Sequence, residues 1–164
     1  MSSHENALLF WQKLRNRPDD ISHLSGEFEN INASDRISLL RSAFHGPDRV
    51  LGIMLLPYLK ENEKMELFSD LIFLASFTHG GLTVVREAIT SLPKEWLLTR
   101  IEETAEPYLK KGDYEQYRRF LELYSLIDQD ITQRLAITAL QSSDFDIKEA
   151  GEDFLHNGAD VEEK

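Results

Sequence analysis

Cysteine is absent from this chain of 164 residues. Its absence excludes disulfides, a thiolate nucleophile and thiolate metal ligation, and it sits easily with a reducing compartment. Proline and glycine are sparse, at five and eight residues, and nowhere crowd into a linker, so composition marks no boundary between domains. Long apolar runs are missing too: none approaches the roughly 18 residues that a membrane-spanning helix needs. The opening MSSHENALLFWQKLRNRP has no basic segment ahead of its short apolar stretch, unlike a signal peptide. The expectation is a cytoplasmic protein. Also lacking are a GxxxxGKS/T phosphate loop, GxGxxG, the GxSxG nucleophile elbow and the HExxH zinc pair, so none of the chemistries those motifs position is supported.

Basic charge is scarce where acid is dense. The formal net charge is −11. Residues 1–82 carry −3 and residues 83–119 are neutral, whereas residues 120–164 hold three basic residues (Arg134, Lys148, Lys164) against eleven acidic ones. An acidic C-terminal third repels nucleic-acid phosphates and anionic lipid and attracts a basic protein surface. The predicted partner is therefore a protein with a basic surface, not nucleic acid or a membrane.

What is present is helical periodicity. The hydrophobic fraction of 41% and charged fraction of 29% belong to a soluble globular chain, and at this length roughly 68–70% of the unfolded surface can be buried. We read one helical domain over 4–156 with flexible tails at 1–3 and 157–164. Apolar positions recur at helical spacing and almost never alternate, so the fold class is all-α. Pro18, Pro47, Asp113, and the NASD and SSDFD stretches at 32–35 and 142–146 mark helix starts. FHGP, THGG and KKGD mark helix ends in which glycine supplies a left-handed cap. These marks predict first helices near 5–16, 33–45, 63–78, 95–110 and 129–142, with partners near 18–31, 47–60, 81–92, 113–127 and 145–156. Pro57 and Pro107 are expected to end or kink their helices. The apolar stretches at 50–59 and 67–77 are expected to be sandwiched. A helix–turn–helix recurring about every 30 residues is the signature of an α-solenoid.

Two of the partner helices carry related phrases, VVREAITSL at 84–92 and DIKEAGEDFL at 146–155. Both place a β-branched residue (Val85, Ile147), a base (Arg86, Lys148), Glu-Ala and a later apolar residue (Leu92, Phe154) on a helix. They resemble the second helix of HEAT repeats, with its Val-Arg, Ala and Leu pattern. The aspartate that HEAT repeats place before the base is Gly80 in one copy and Ser142 in the other. The stretch YLKKGDYEQYRRFLELYSL at 108–126 is similar to the turn of a tetratricopeptide repeat, once only. The resemblance implies an α-solenoid of about five antiparallel helix pairs, HEAT-like over 33–156, whose second helices line the binding side.

Chemistry is thin. His4, His23, His45, His79 and His156 are scattered, and His45 and His79 read as helix-ending residues facing the last carbonyls. Glu102 and Glu106 share a helix face, but the Glu-x-x-His partners of a dimetal bundle are missing, so they read as a solvated face. Arg118 and Arg119 make the best small positive patch. Trp96 is expected to open its helix, partly exposed. No catalytic residue, metal or cofactor is predicted. The expected function is a non-catalytic protein-interaction module. Its contact residues are exposed positions of successive second helices: Arg86 and Glu87, then Glu115, Arg118 and Glu122, then Glu149, Glu152 and Asp153. Alternatives are an acidic inhibitor or immunity protein that neutralises a basic toxin or nuclease, and a nucleic-acid-directed enzyme on a HEAT-like scaffold, such as a DNA glycosylase.

Overall fold

The computed structural model describes residues 2–159, and these are all-α: twelve α-helices and two 3-10 turns, with no strand among the described residues. The expected tail over 157–164 lies outside the described residues except for the helical backbone of 157–159. At the other end Ser2 caps the first helix through a reciprocal bond pair with Glu5. No described helix is long and apolar enough to cross a membrane.

The helices are α1 (Ser3–Asn16), α2 (Ile21–Glu29), α3 (Ala33–Phe44), α4 (Arg49–Met54), α5 (Glu61–Glu66), α6 (Phe68–Ala75), α7 (Leu82–Thr90), α8 (Lys94–Leu98), α9 (Ile101–Lys110), α10 (Tyr114–Ser125), α11 (Gln129–Leu140) and α12 (Phe145–Ala159). The ten predicted segments are recognisable in this order, with differences that have local causes. The predicted helix at 63–78 starts at Glu61, breaks at Leu67 (φ −88°, ψ 8°) and ends at Ala75. That at 95–110 divides into α8 and α9. There the Thr99 hydroxyl bonds the Trp96 carbonyl, Arg100 leaves helical geometry (φ −132°, ψ −30°) and its guanidinium lies 4.9 Å over the half-buried Trp96 ring. A side-chain hydroxyl competing for a helix carbonyl in this way favours a break.

The starting signals act as expected at Asn32, Asp113 and Asp144, whose side chains accept backbone N–H groups of the following turn. After Pro47, the Asp48 carboxylate takes the Trp11 indole N–H (3.1 Å) and Arg15 and makes no cap bond to α4. The glycine stops also differ. No described glycine has positive φ, so the helix ends are not left-handed caps. The N–H groups of Gly46 and Gly112 bond Ala43 and Leu109 carbonyls three residues back, tightening the last turn. Gly112 is needed for closeness: a Cβ there would sit 2.8 Å from the Tyr108 carbonyl oxygen. Pro57 sits in the 3-10 turn Leu56–Tyr58 that finishes the segment begun by α4. Pro107 ends nothing. It lies inside α9, which runs on to Lys110, and it removes the N–H that would have bonded the Glu103 carbonyl.

The chain divides into two compact units, Met1–Leu71 with Gly80–Leu92 and Ile72–His79 with Pro93–Lys164. In the first, α1 packs on α2 and α3, α3 on α4 and α5, and α7 on α4 and the Leu56–Tyr58 turn. Phe10, Phe28, Leu40, Phe44, Leu55 and Val85 are fully enclosed. Half of the apolar stretch at 50–59 is buried, with Leu51, Met54 and Tyr58 half-buried and Val50 69% exposed. Its polar centre is the Arg36–Glu63 ion pair (2.6 Å), with both side chains buried. Arg36 also donates to the Glu29 carbonyl at 2.8 Å and to the Ile31 carbonyl, closing the end of α2, while Glu63 accepts the Lys60 N–H at the start of α5. A second cluster joins Asp70 to Arg41 (3.0 Å) and His45 (2.8 Å).

In the second unit α10, α11 and α12 all touch, and α11 with α12 is the most extensive helix contact in the chain. That contact is built on small residues. Ala136, Ala139, Ala150 and Gly151 are buried, and a Cβ on Gly151 would sit 2.7 Å from the Ala136 carbonyl oxygen and 2.9 Å from the Ala139 Cβ. An aromatic series, Phe73–Tyr108–Phe120–Tyr124, runs at centroid spacings of 6.2–6.4 Å.

Two stability outcomes follow from these contacts. Glu63→Ala strands the buried guanidinium and should cost about 3–5 kcal/mol in urea unfolding. Gly151→Val drives a side chain into the α11 backbone and should lower stability by about 1–3 kcal/mol by overpacking, with little change expected from the exposed control Gly80→Ala, whose Cβ meets nothing within 4 Å.

Candidate functional site

The residues singled out on the second helices are divided between the two units. Arg86, half-buried, and Glu87, exposed, lie on α7 in the first unit; the other six lie in the second. On α10 the Glu115 carboxylate accepts the Thr78 N–H at 2.8 Å, a contact that holds it below the usual carboxylate range. Arg118 donates to Asp153 of α12 at 2.8 Å and lies 3.9 Å from Glu122, with Arg119 also 3.0 Å from Glu122. Its guanidinium stands 5.9 Å over the Phe154 ring. Hydrogen bonding to Asp153 raises the Arg118 pKa. The expectation that these are open contact positions is corrected for Arg118 and Glu122: their side chains keep only 29% and 27% of their exposure, because they are engaged with each other and with α12. The positive patch expected at Arg118 and Arg119 is neutralised by the same two carboxylates.

Along α12 the picture differs. Ile147, Ala150 and Gly151 are buried and Phe154 is half-buried, while Asp146, Glu149, Glu152 and Asp153 are exposed on the opposite side. Asp153 is spent on Arg118, but Glu149 and Glu152 make no side-chain ion pair among the described residues. Phe145, at the head of the helix, is 76% exposed.

A cavity of about 600 Å³ opens between α9, α10 and α11 within the second unit. It brings together residues that periodicity leaves unconnected. Glu102, Glu103 and Glu106 of α9 stand at its edge, with Arg134 of α11 clamped bidentately on Glu102 at 2.9 and 3.0 Å, and Lys110 on Glu106 at 2.9 Å. The solvated face expected for Glu102 and Glu106 is thus the wall of a concavity. Glu103 makes no ion pair among the described residues. Leu109, Leu135 and Tyr117 give it apolar lining. Tyr124 also lines it, 1% exposed, and its hydroxyl has no hydrogen-bond partner. Burial pushes that hydroxyl well above the usual phenol range, with the Glu102 charge adding to the shift and Arg134 opposing it. The group therefore keeps its proton and stands as a donor. An orphaned buried hydroxyl costs stability unless something satisfies it, and it is the feature that sequence reading missed. No signal in a lone Tyr within an amphipathic helix distinguishes it from ordinary core.

The first unit has a smaller cavity of about 440 Å³ between α1 and α3, bordered by Leu8, Trp11, Ser38 and the Arg15–Asp48 pair. Its polar side chains Trp11, Arg15 and Asp48 are bonded to one another. Among the described residues no group of three or more His, Asp and Glu side chains is placed to hold a metal ion. His79 meets the Leu74 carbonyl (2.8 Å), as a helix-ending residue does, whereas His45 turns to Asp70.

No family model matches this chain, and neither a curated protein nor a solved structure is matched by it.

The carboxylates of the second unit set a pH dependence. The Thr78 N–H lowers Glu115 from its ordinary 4.5, and hydrogen bonding to Lys94 lowers Asp128 from 3.8. A folded-state pKa below the unfolded one contributes stability that is complete above the unfolded value and is lost as pH falls through the folded one. Urea midpoints should hold level from pH 7 to about 5 and fall below about pH 4.5. The Glu115→Gln variant should show a shallower fall, and an unchanged slope would remove Glu115 from the account.

Proposed function

We propose that this chain is a non-catalytic protein-interaction module whose second unit binds a basic surface of another protein. The observation that carries the reading is the outer face of α12, where Glu149 and Glu152 stand exposed with no ion pair among the described residues, beside exposed Asp146. Charges already spent internally gain little from a partner, whereas unspent ones steer and align it. The unit as a whole holds nine basic against seventeen acidic residues, which supports attraction at long range. The exposed Phe145 supplies an apolar contact next to the acidic face, in keeping with interfaces that combine an aromatic anchor with a polar rim.

In this reading the helix pairs within each unit stack in the HEAT-like manner that the Val85 and Ile147 phrases resemble, and in the second unit α10 and α12 belong to the partner-binding side. Glu115, Arg118 and Glu122 then serve mainly to shape that side, and Glu149 and Glu152 make the charged contacts. Asp153 works through Arg118.

Selection of peptides from a random display library against the full chain tests it. Selected sequences should be rich in Lys and Arg. Their affinity should fall about tenfold or more between roughly 50 and 300 mM salt, because exposed charges are screened over a Debye length. Glu149→Ala combined with Glu152→Ala should weaken them about fivefold or more without changing the thermal midpoint. Selection of neutral or acidic peptides, or unchanged binding by the double variant, would overturn the reading.

A further inference from the structure

In the first unit, Ala7, Phe10, Trp11 and Leu14 turn the inner side of α1 into the core, which leaves Glu5, Leu8, Leu9, Gln12, Lys13 and Asn16 exposed. Two of these are leucines, 52% and 42% exposed at consecutive positions in mid-helix. A cleft flanks each of them. Leu8 borders the cavity of about 440 Å³ toward α3, and Leu9 borders one of about 230 Å³ toward α2. A lone exposed leucine needs no explanation, whereas an apolar ridge between two clefts has the form of a contact surface. The charges beside it say what it contacts. Glu5, Leu9 and Lys13 lie at i, i+4 and i+8, one ridge along the helix, with the acid four residues before the leucine and the base four residues after it.

We propose that this face of α1 binds the same face of a second copy of the chain, with the two helices antiparallel and the two-fold axis at Leu9. An antiparallel copy brings Glu5 opposite Lys13 of the other copy, and the symmetry makes this pairing twice. A parallel copy would instead set Glu5 on Glu5 and Lys13 on Lys13. The face is therefore complementary to itself, whereas a uniformly basic or acidic surface would match it at one end only. Neither charge is exhausted within its own chain. Lys13 gives its ammonium, with three donors, to Glu27 at 2.7 Å, both side chains about half exposed, and one Glu5 oxygen accepts the Ser2 N–H. Exposed ion pairs contribute little, so the charges set the orientation, while Leu8, Leu9 and the clefts beside them supply the apolar area. A contact made by one helix and its borders lies at the small end for a specific interface, so the dimer dissociates at micromolar concentrations. It lies in the first unit and is independent of the basic partner proposed for α12.

Sedimentation velocity of the full chain from about 5 to 500 μM tests the contact. The sedimentation coefficient should rise from the monomer to the dimer value across that range. Leu9→Glu and Leu9→Lys each set like charges on the two-fold axis, so each alone should stay monomeric, with a thermal midpoint close to that of the unaltered chain. An equimolar mixture of the two should recover the dimer, because only the mixed pair sets opposite charges on the axis. Leu8→Glu should weaken association about tenfold or more, the fold-change of one leucine no longer buried. Leu126→Glu, which alters a leucine of the second unit that is 60% exposed, should leave association unchanged. Since the chain has no cysteine, Leu9→Cys carries a single thiol, and oxidation should join two copies through it, residues on the axis being within disulfide reach. Four results would overturn the proposal: a monomer at the highest concentration, a dimer that survives Leu9→Glu, a mixture of the two Leu9 variants that stays monomeric, or a dimer lost in Leu126→Glu. Should Leu9→Glu itself lower the thermal midpoint, Leu8→Glu mixed with Leu8→Lys decides in its place, as Leu8 lies one residue from the axis.

Discussion

The Arg36–Glu63 ion pair sits where two helix ends meet away from water, and it shows the constraint that governs this chain. Every helix leaves up to four N–H groups at its start and four carbonyls at its end without an internal partner. A chain cut into helices of 5–15 residues meets that demand repeatedly. Arg36 answers it for the end of α2 by donating to the Glu29 and Ile31 carbonyls, and Glu63 answers it for the start of α5 by accepting the Lys60 N–H. Each ion therefore has hydrogen bonds beyond its counter-ion, the condition under which a buried pair is tolerated. Asn32, Asp113, Asp128 and Asp144 meet the same demand at the surface with single side chains.

The second unit handles its charge by local neutralisation. Arg134 is paired with Glu102, Lys94 with Asp128, and Arg118 with Asp153. Exposed pairs of this kind each contribute only about 0.2–1 kcal/mol, so their effect on function exceeds their effect on stability. These three bases are thereby spent, whereas Glu103, Glu149 and Glu152 make no ion pair among the described residues. Close packing of α11 on α12 through Ala136, Ala139, Ala150 and Gly151 turns the acidic side of α12 outward and gives it a rigid base. The contact region proposed on α12 thus stands on a well-packed helix, where a binding geometry can be held without ordering a loop.

Much of this was legible from residue order alone. The all-α class, the ten segments and the buried sides of VVREAITSL and DIKEAGEDFL follow from apolar spacing and capping chemistry, which are local. Val85 and Ala88 are buried, as are Ile147 and Ala150. Breaks at Leu67 and at Thr99–Arg100 were not legible. The apolar period continues across both, and the Thr99 hydroxyl's choice of the Trp96 carbonyl competes only weakly with helix continuation. Glycine was read correctly as a stop at Gly112 but for the wrong reason, since crowding by the Tyr108 carbonyl, and not positive φ, excludes a side chain.

What the sequence by itself determined is the charge inventory, the helical class and which face of each helix turns inward, because these depend on contacts within a few residues. Only the tertiary structure decided which charges are spent. Arg118 and Asp153 are 35 residues apart, and Arg134 and Glu102 are 32 apart. No helical period relates positions at that separation, so pairing between them arises only when separate helices are brought side by side. The same holds for Tyr124. In sequence it is one more apolar position on α10, and only the packing around it makes its hydroxyl a buried donor without a partner.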